Sequence, residues 1–243
     1  MRLQDQTTVI TGGGRGIGRA TALAFAREGA HVVVTARSEG EIAAVADEVR
    51  GLGRRALAVP ADVAKEADVD ELVRRTEAEF GRIDILVNNA GVIDFSPLAD
   101  APTEMWDRIM SVNLRGVFLV TRAVLPVMRR ARRGNIVMVS AIGSFGGGGI
   151  APIYRASKAA LNNIAEAFAQ ETLGQGIRVN TVCPAETDTR LNRMAYPSGP
   201  GHAVWMRPED IADVILFLAS DQSRAMTGAT LVACGSAKLS RWG

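Results

Sequence analysis

Apolar residues arrive along this chain in two rhythms. Short β-branched runs at Thr7–Thr11, Ala30–Thr35, Arg55–Val59, Asp84–Val87, Asn135–Ser140, Ile177–Val182 and Ala229–Val232 predict seven strands. Between them, apolar positions three and four apart predict helices near 16–29, 39–52, 65–80, 104–131, 154–174 and 208–219, with Gly29, Gly81, Gly134 and Gly174 as stop signals. In His31-Val32-Val33-Val34 and Ile136-Val137-Met138-Val139 the apolar residues are consecutive instead of alternating. Both faces of such strands are covered, as in a parallel sheet between helix layers. The expected fold is therefore α/β: a doubly wound parallel sheet of seven strands with helices on both faces.

Composition narrows the picture. The 243 residues fit one large domain, 1–243, with no linker or repeat inside it. With 47% hydrophobic and 22% charged residues and a net charge of only +2, the chain is neither disordered nor a strongly basic nucleic-acid binder. No apolar run approaches the ~18 residues that cross a bilayer, and Met1–Ile10 reads as a polar lead into a strand, so a soluble, cytoplasmic protein away from membranes is expected. Two cysteines, Cys183 and Cys234, form no disulfide framework, and His31 and His202 offer no metal cluster. The run Gly146–Gly149 reads as a mobile loop beside a site.

Thr11-Gly12-Gly13-Gly14-Arg15-Gly16-Ile17-Gly18 follows the first strand and opens the first helix. In that context a glycine-rich turn lets the backbone approach a pyrophosphate, which the helix N-terminus stabilises, so the sheet is Rossmann-type and binds a dinucleotide. The second strand ends Val34-Thr35-Ala36-Arg37, without the carboxylate that would accept ribose hydroxyls. Arg37 and Arg15 instead offer guanidinium groups to a 2′-phosphate, which predicts NADP(H) over NAD(H). Asp62-Val63, after the third strand, falls where the adenine should lie; Asp62 either accepts from the adenine amino group or caps the helix that follows.

Only two tyrosines and three lysines occur, yet Tyr154 and Lys158 stand at i and i+4 on one predicted helix, so their polar ends can meet one ligand. A phenol is a poor acid or base near neutrality, and an adjacent ammonium is expected to lower its pKa. Together with Asn88-Asn89-Ala90-Gly91, Asn113 in Ser-Val-Asn-Leu, and Cys183-Pro184-Ala185-Glu186-Thr187-Asp188-Thr189, these motifs make the whole chain resemble the short-chain dehydrogenase/reductase family, and its 3-oxoacyl-acyl-carrier-protein reductases in particular. The resemblance implies that Tyr154 exchanges a proton with the substrate oxygen while hydride moves to or from the nicotinamide, and that Lys158 holds the nicotinamide ribose. It implies that Asn113 interrupts helix hydrogen bonding and seats a relay water, that Asn89, Ala90 and Gly91 floor the cofactor cleft, and that Pro184, Thr187 and Thr189 line its nicotinamide and pyrophosphate portions. It also implies a homotetramer built through the helices at 104–131 and 154–174, and a small carbonyl or alcohol substrate.

The chain departs from the family pattern where most members carry a serine 13 residues before the tyrosine; here that residue is Ala141. Ser140 is the expected replacement if the strand end bulges, with Ser144 the other candidate. Ala185 replaces a usual glycine after Pro184, and Cys234-Gly235 a usual Asp-Gly pair. The Pro- and Gly-rich stretch Arg190–Met206, with Tyr196 and Trp205, lies where the family keeps its substrate lid. Arg129, Arg130, Arg132 and Arg133 form a basic cluster that either docks an acidic acyl carrier protein or simply offsets a helix dipole. Ala141 keeps a second function in view: a catalytically weak, NADP(H)-binding regulatory or assembly subunit. The physiological substrate, stereochemistry and direction are not encoded in these motifs.

Overall fold

The computed structural model describes residues 1–146, 150–195 and 205–235. The expectations for Gly147 to Gly149 and for lid residues such as Tyr196 lie outside the described residues. Seven strands, β1 (Thr7–Thr11), β2 (His31–Ala36), β3 (Ala56–Pro60), β4 (Ile85–Asn88), β5 (Gly134–Val139), β6 (Ile177–Pro184) and β7 (Thr230–Ala233), form one sheet in the order β3-β2-β1-β4-β5-β6-β7. Every pairing is parallel.

The consecutive apolar runs divide their side chains between two cores. Val32 and Val34 join Val137 and Val139 on one face, against Leu23 and Phe25 of α1 (Gly16–Arg27), Ile42 of α2 (Glu39–Gly51) and Ile215 of α8 (Pro208–Ala219). Val33, Ile136 and Met138 face the other way, against Leu72 of α3 (Glu66–Phe80), Val120 of α5 (Gly116–Ala131) and Leu161 of α6 (Pro152–Glu171). A period-two strand that is apolar at every position must bury both faces, and here it does.

Three details differ from the sequence reading. The helix at 104–131 is built of α4 (Thr103–Met110), a π-helical turn at Ser111–Arg115, and α5. It is long and apolar enough to cross a membrane by length and composition, contrary to the count of apolar runs, but it is a core helix with half of its most apolar stretch buried in the protein. Gly134 does not stop that helix. Arg132 does, in the left-handed conformation (φ 49°), and Gly134 opens β5 because a β-carbon there would stand 2.5 Å from the Met128 sulfur. Finally, a short helix α7 (Arg190–Ala195) occupies the start of the expected lid.

The chain winds outward in both directions from the gap between β1 and β4, so the carboxyl ends of these strands open into a crevice where ligands of doubly wound sheets bind.

Candidate active site in the interstrand crevice

That crevice is a cleft of about 1380 Å³ lined by Gly12, Arg15, Gly16, Ile17, Arg37, Asp62, Val63, Asn89, Ala90, Gly91, Ser140, Tyr154, Lys158, Pro184, Thr187 and Thr189, among others. Thus the segments singled out in sequence, more than 170 residues apart at their extremes, share one wall. Gly18 supports it from behind.

The glycine turn is fixed by close approach. Gly16 needs φ 53°, and a β-carbon on Gly18 would lie 2.2 Å from the Gly12 carbonyl oxygen. A β-carbon on Gly16 would come within 3.2 Å of the Thr189 methyl, so the turn and Thr189 meet at this point of the cleft. The turn is tied to the floor by Thr11, whose hydroxyl accepts from the backbone N–H groups of Asn89 and Ala90, both at 3.0 Å. The Asn89 amide in turn donates to the carbonyls of Thr11 (3.0 Å) and Gly12 (3.1 Å).

At the adenosine end, Arg37 is exposed and lines the cleft. Arg15 is also exposed but pairs with Glu41 at 3.2 Å, a carboxylate the motif reading missed because it lies on α2, outside the glycine turn. The Asp62 carboxylate does not cap α3, whose N-cap position is Lys65; it accepts from the Ala64 N–H at 3.0 Å in the turn before the helix, and the side chain lines the cleft.

The reacting end is organised by α6, which begins at Pro152, a residue preset for the first helical turn. One turn later, Lys158 is buried and its Nζ donates to the Val139 carbonyl at 2.8 Å. Nζ stands 5.7 Å from the centre of the Tyr154 ring. Burial pulls the ammonium down from 10.5 to about 8. Burial also pushes the Tyr154 phenol above its ordinary 10, with the buried Cys183 adding to the rise. This corrects the expectation of a lowered tyrosine pKa. Removal from water is the main cause, so the phenol holds its proton through neutral pH and stands ready to act as an acid.

Asn113 sits in the π-helical turn, fully buried. Its amide clamps the Val92 backbone at both ends, accepting from N–H at 2.8 Å and donating to the carbonyl at 2.9 Å, and donates to Ser157 Oγ at 3.1 Å. Ser157 closes the link by donating to the Tyr154 carbonyl at 2.6 Å. Asn113 therefore joins the β4 loop to the helix of Tyr154.

Neither serine candidate presents a spare proton to the cleft. Ser140 continues the β5 register without a bulge, its N–H donating to the Val182 carbonyl at 2.8 Å, and its hydroxyl donates to the Lys158 carbonyl at 3.1 Å. Ser144 accepts from Asn162 at 2.8 Å and contacts Cys183 Sγ at 3.8 Å, away from the cleft lining. Ser140 lines the cleft, with its hydroxyl directed at the backbone of α6.

Beyond Pro184, Thr187 is buried and its hydroxyl donates to the Ala185 carbonyl at 2.9 Å. Asn192 of α7 donates to the Thr187 carbonyl at 2.8 Å, another cleft residue without a sequence signal. The basic cluster is elsewhere. Arg129 pairs with Glu171 and Arg130 with Glu77. The cluster lies before β5, and the six residues of that strand separate it from the cleft by about 20 Å within one chain. Among the described residues no group of three or more His, Cys, Asp or Glu is placed to hold a metal.

Comparison with known proteins gives consistent results. The family model described as short chain dehydrogenase matches residues 6–198. The chain is 37% identical over 235 residues to the 3-oxoacyl-acyl-carrier-protein reductase FabG of Thermotoga maritima, covering 94% of this chain and 96% of that protein. It is 36% identical over 247 residues to 2-(S)-hydroxypropyl-CoM dehydrogenase 3 of Xanthobacter autotrophicus, covering 96% and 97%. The crystal structure of levodione reductase superimposes with a TM-score of 0.91 at 31% identity, covering 96% of this chain and 98% of that one.

Proposed function

From the premise that the chain belongs to the short-chain dehydrogenase/reductase family and is an oxidoreductase of alcohol and carbonyl groups, we propose that it interconverts a ketone and a secondary alcohol with NADP(H), and that Tyr154 is the proton donor and acceptor. The observation that carries this reading is the meeting of Tyr154, Lys158, Gly91 and the glycine turn on one cleft wall. When bound, NADPH supplies the hydride. Gly12, Gly16, Ile17 and Thr189 are suited to its pyrophosphate, Asn89, Ala90 and Gly91 to the ribose side, Asp62 and Val63 to the adenine, and Pro184 and Thr187 to the nicotinamide.

The chain's own part is to seat the carbonyl oxygen at the Tyr154 hydroxyl and give it the proton that this buried phenol retains at neutral pH. Lys158 contributes positive charge and a donor for ribose hydroxyls. Asn113 fixes the helix that carries Tyr154, and the widened turn around it is the proposed seat of a relay water. With Ala141 lacking a donor and Ser140 committed to Lys158, Tyr154 bears the polarisation of the carbonyl alone.

Preference for NADP(H) rests on Arg37 and on Arg15, whose pairing with Glu41 aims it along the adenosine end. In steady-state assays run in parallel with NADPH and NADH, Arg37→Asp should reduce the NADPH preference by roughly 10-fold or more, the value of a charge-assisted contact. An unchanged preference removes this assignment.

A small ketone or alcohol is the proposed substrate. An acyl-carrier thioester is supported by the names of relatives such as FabG, and within one chain it is disfavoured by the distance of Arg132 and Arg133 from the cleft. We place the protein in the cytoplasm, as one domain per chain assembled into a homotetramer. The second reading, a weakly active NADP(H)-binding subunit, is favoured by Ala141. Tight NADPH binding with no NADPH oxidation across ketones, oxoacyl thioesters, sugars and steroids would select it.

A further inference from the structure

Arg155 follows the proposed acid by one residue and lines the same cleft. Its guanidinium lies flat over Gly143, where a β-carbon would come within 3.3 Å of its Cγ and 3.4 Å of Cζ and Nη1. Nε and Nη2 both donate to the Gly146 carbonyl, at 3.1 and 2.6 Å. These two bonds use one side of a planar group with five N–H donors and leave Nη1 on the side of Gly143, itself a cleft residue.

The other arginines of the cleft are differently placed. Arg15 pairs with Glu41 and Arg19 with Glu48, while Arg37 and Arg190 are exposed and keep their water; the buried Lys158 ammonium is bonded to the Val139 carbonyl. Arg155 is half-buried and makes no ion pair among the described residues. A guanidinium taken partly out of water and held in a fixed orientation without a carboxylate is arranged to receive one.

We propose that Arg155 is a specificity-determining residue: its free guanidinium edge binds a carboxylate on the substrate, so the protein's substrates are oxo acids and hydroxy acids. Tyr154 and Arg155 diverge on α6, as adjacent helical residues do, and both line the one cleft. This rests on the ketone and alcohol reading above. Its test is built on binding, so that it can fail while that reading stands.

Isothermal titration with acetoacetate and with its uncharged partner methyl acetoacetate, each with and without oxidised NADP, compares the wild-type protein with Arg155→Gln and Arg155→Lys. The expected result is that the wild type binds acetoacetate about 10- to 100-fold more tightly than the ester. Arg155→Gln should abolish that ratio by weakening the acid alone, and Arg155→Lys should recover part of it. If the wild type does not prefer the acid, or if Arg155→Gln and Arg155→Lys weaken acid and ester equally, Arg155 is only a staple for the Gly146 loop and the proposal is overturned. Neither result bears on Tyr154, whose role is read from turnover.

Discussion

Lys158 is the residue at which function and stability pull apart. Its folded pKa of about 8 lies below the 10.5 of the unfolded chain, so the two states differ in bound protons between these values. Below pH 8 both are charged and the folded state bears the full cost of a buried ammonium. From pH 8 to 10.5 the unfolded chain holds more protons and stability rises with pH. Tyr154, shifted upward, acts in the opposite sense only above pH 10, where the folded state holds the extra proton. Lys158→Met should therefore be more stable than wild type at pH 7 by about 1–3 kcal/mol when free of dinucleotide, with the advantage shrinking by pH 9.5. Thermal melts across that range check it, and an advantage that grows with pH would contradict it.

At position 141 the expectation is a gain. Restoring a hydroxyl by Ala141→Ser supplies a donor the site lacks, and one such donor is worth on the order of 10²-fold in rate when well placed. Turnover should rise in Ala141→Ser and change far less in Ser140→Ala; equal effects of the two would mean that Ser140 polarises the carbonyl after all. The family resemblance exposed the missing serine at once. It did not reveal where the Ser140 proton goes, because that depends on the face taken by the residue that follows β5 and on the backbone of α6 packed against it.

Among the elements, strands were legible to within a residue or two because all seven are short β-rich runs, and the central ones, β1, β2, β4 and β5, are buried along nearly their whole length between two helix layers. Helix termini were less so. Arg132 ends α5 in a conformation usually left to glycine, with the cap's backbone N–H groups bonded to the Arg129 and Met128 carbonyls. The π-helical turn at Ser111–Arg115 is where the family resemblance expected an interruption at Asn113; the clamp on Val92 that accompanies it, a residue 21 positions earlier, was not legible. Arg155, Asn192 and Glu41 were missed because each acts through the segment it touches rather than through a motif.

The helix from 103 to 131 also carries a prediction. Trp106, Met110, Leu114 and Phe118 recur four apart along it, with Trp106 44% and Phe118 38% exposed. Such a stripe on a helix whose other face is core fits contact with another copy. Light scattering should find a tetramer for the wild type and a smaller species for the Trp106→Glu, Phe118→Glu double variant; an unchanged mass would place the assembly contact elsewhere.

For the molecule as a whole, the sheet order does the assembling. Winding in opposite directions from β1 and β4 leaves one crevice at the strand ends, and segments spread from Gly12 to Thr189 reach function only by ending there. The central claim is that Tyr154 delivers a proton from this crevice while the fold holds the dinucleotide independently of it. Stopped-flow fluorescence and absorbance on wild type and Tyr154→Phe, mixed with NADPH and then with a reducible ketone, test it most directly. The account predicts equal NADPH affinity in both proteins and a loss of about 10²- to 10⁴-fold in the rate of NADPH oxidation in Tyr154→Phe. Oxidation by Tyr154→Phe within a few-fold of wild type, with NADPH bound equally well, would contradict it.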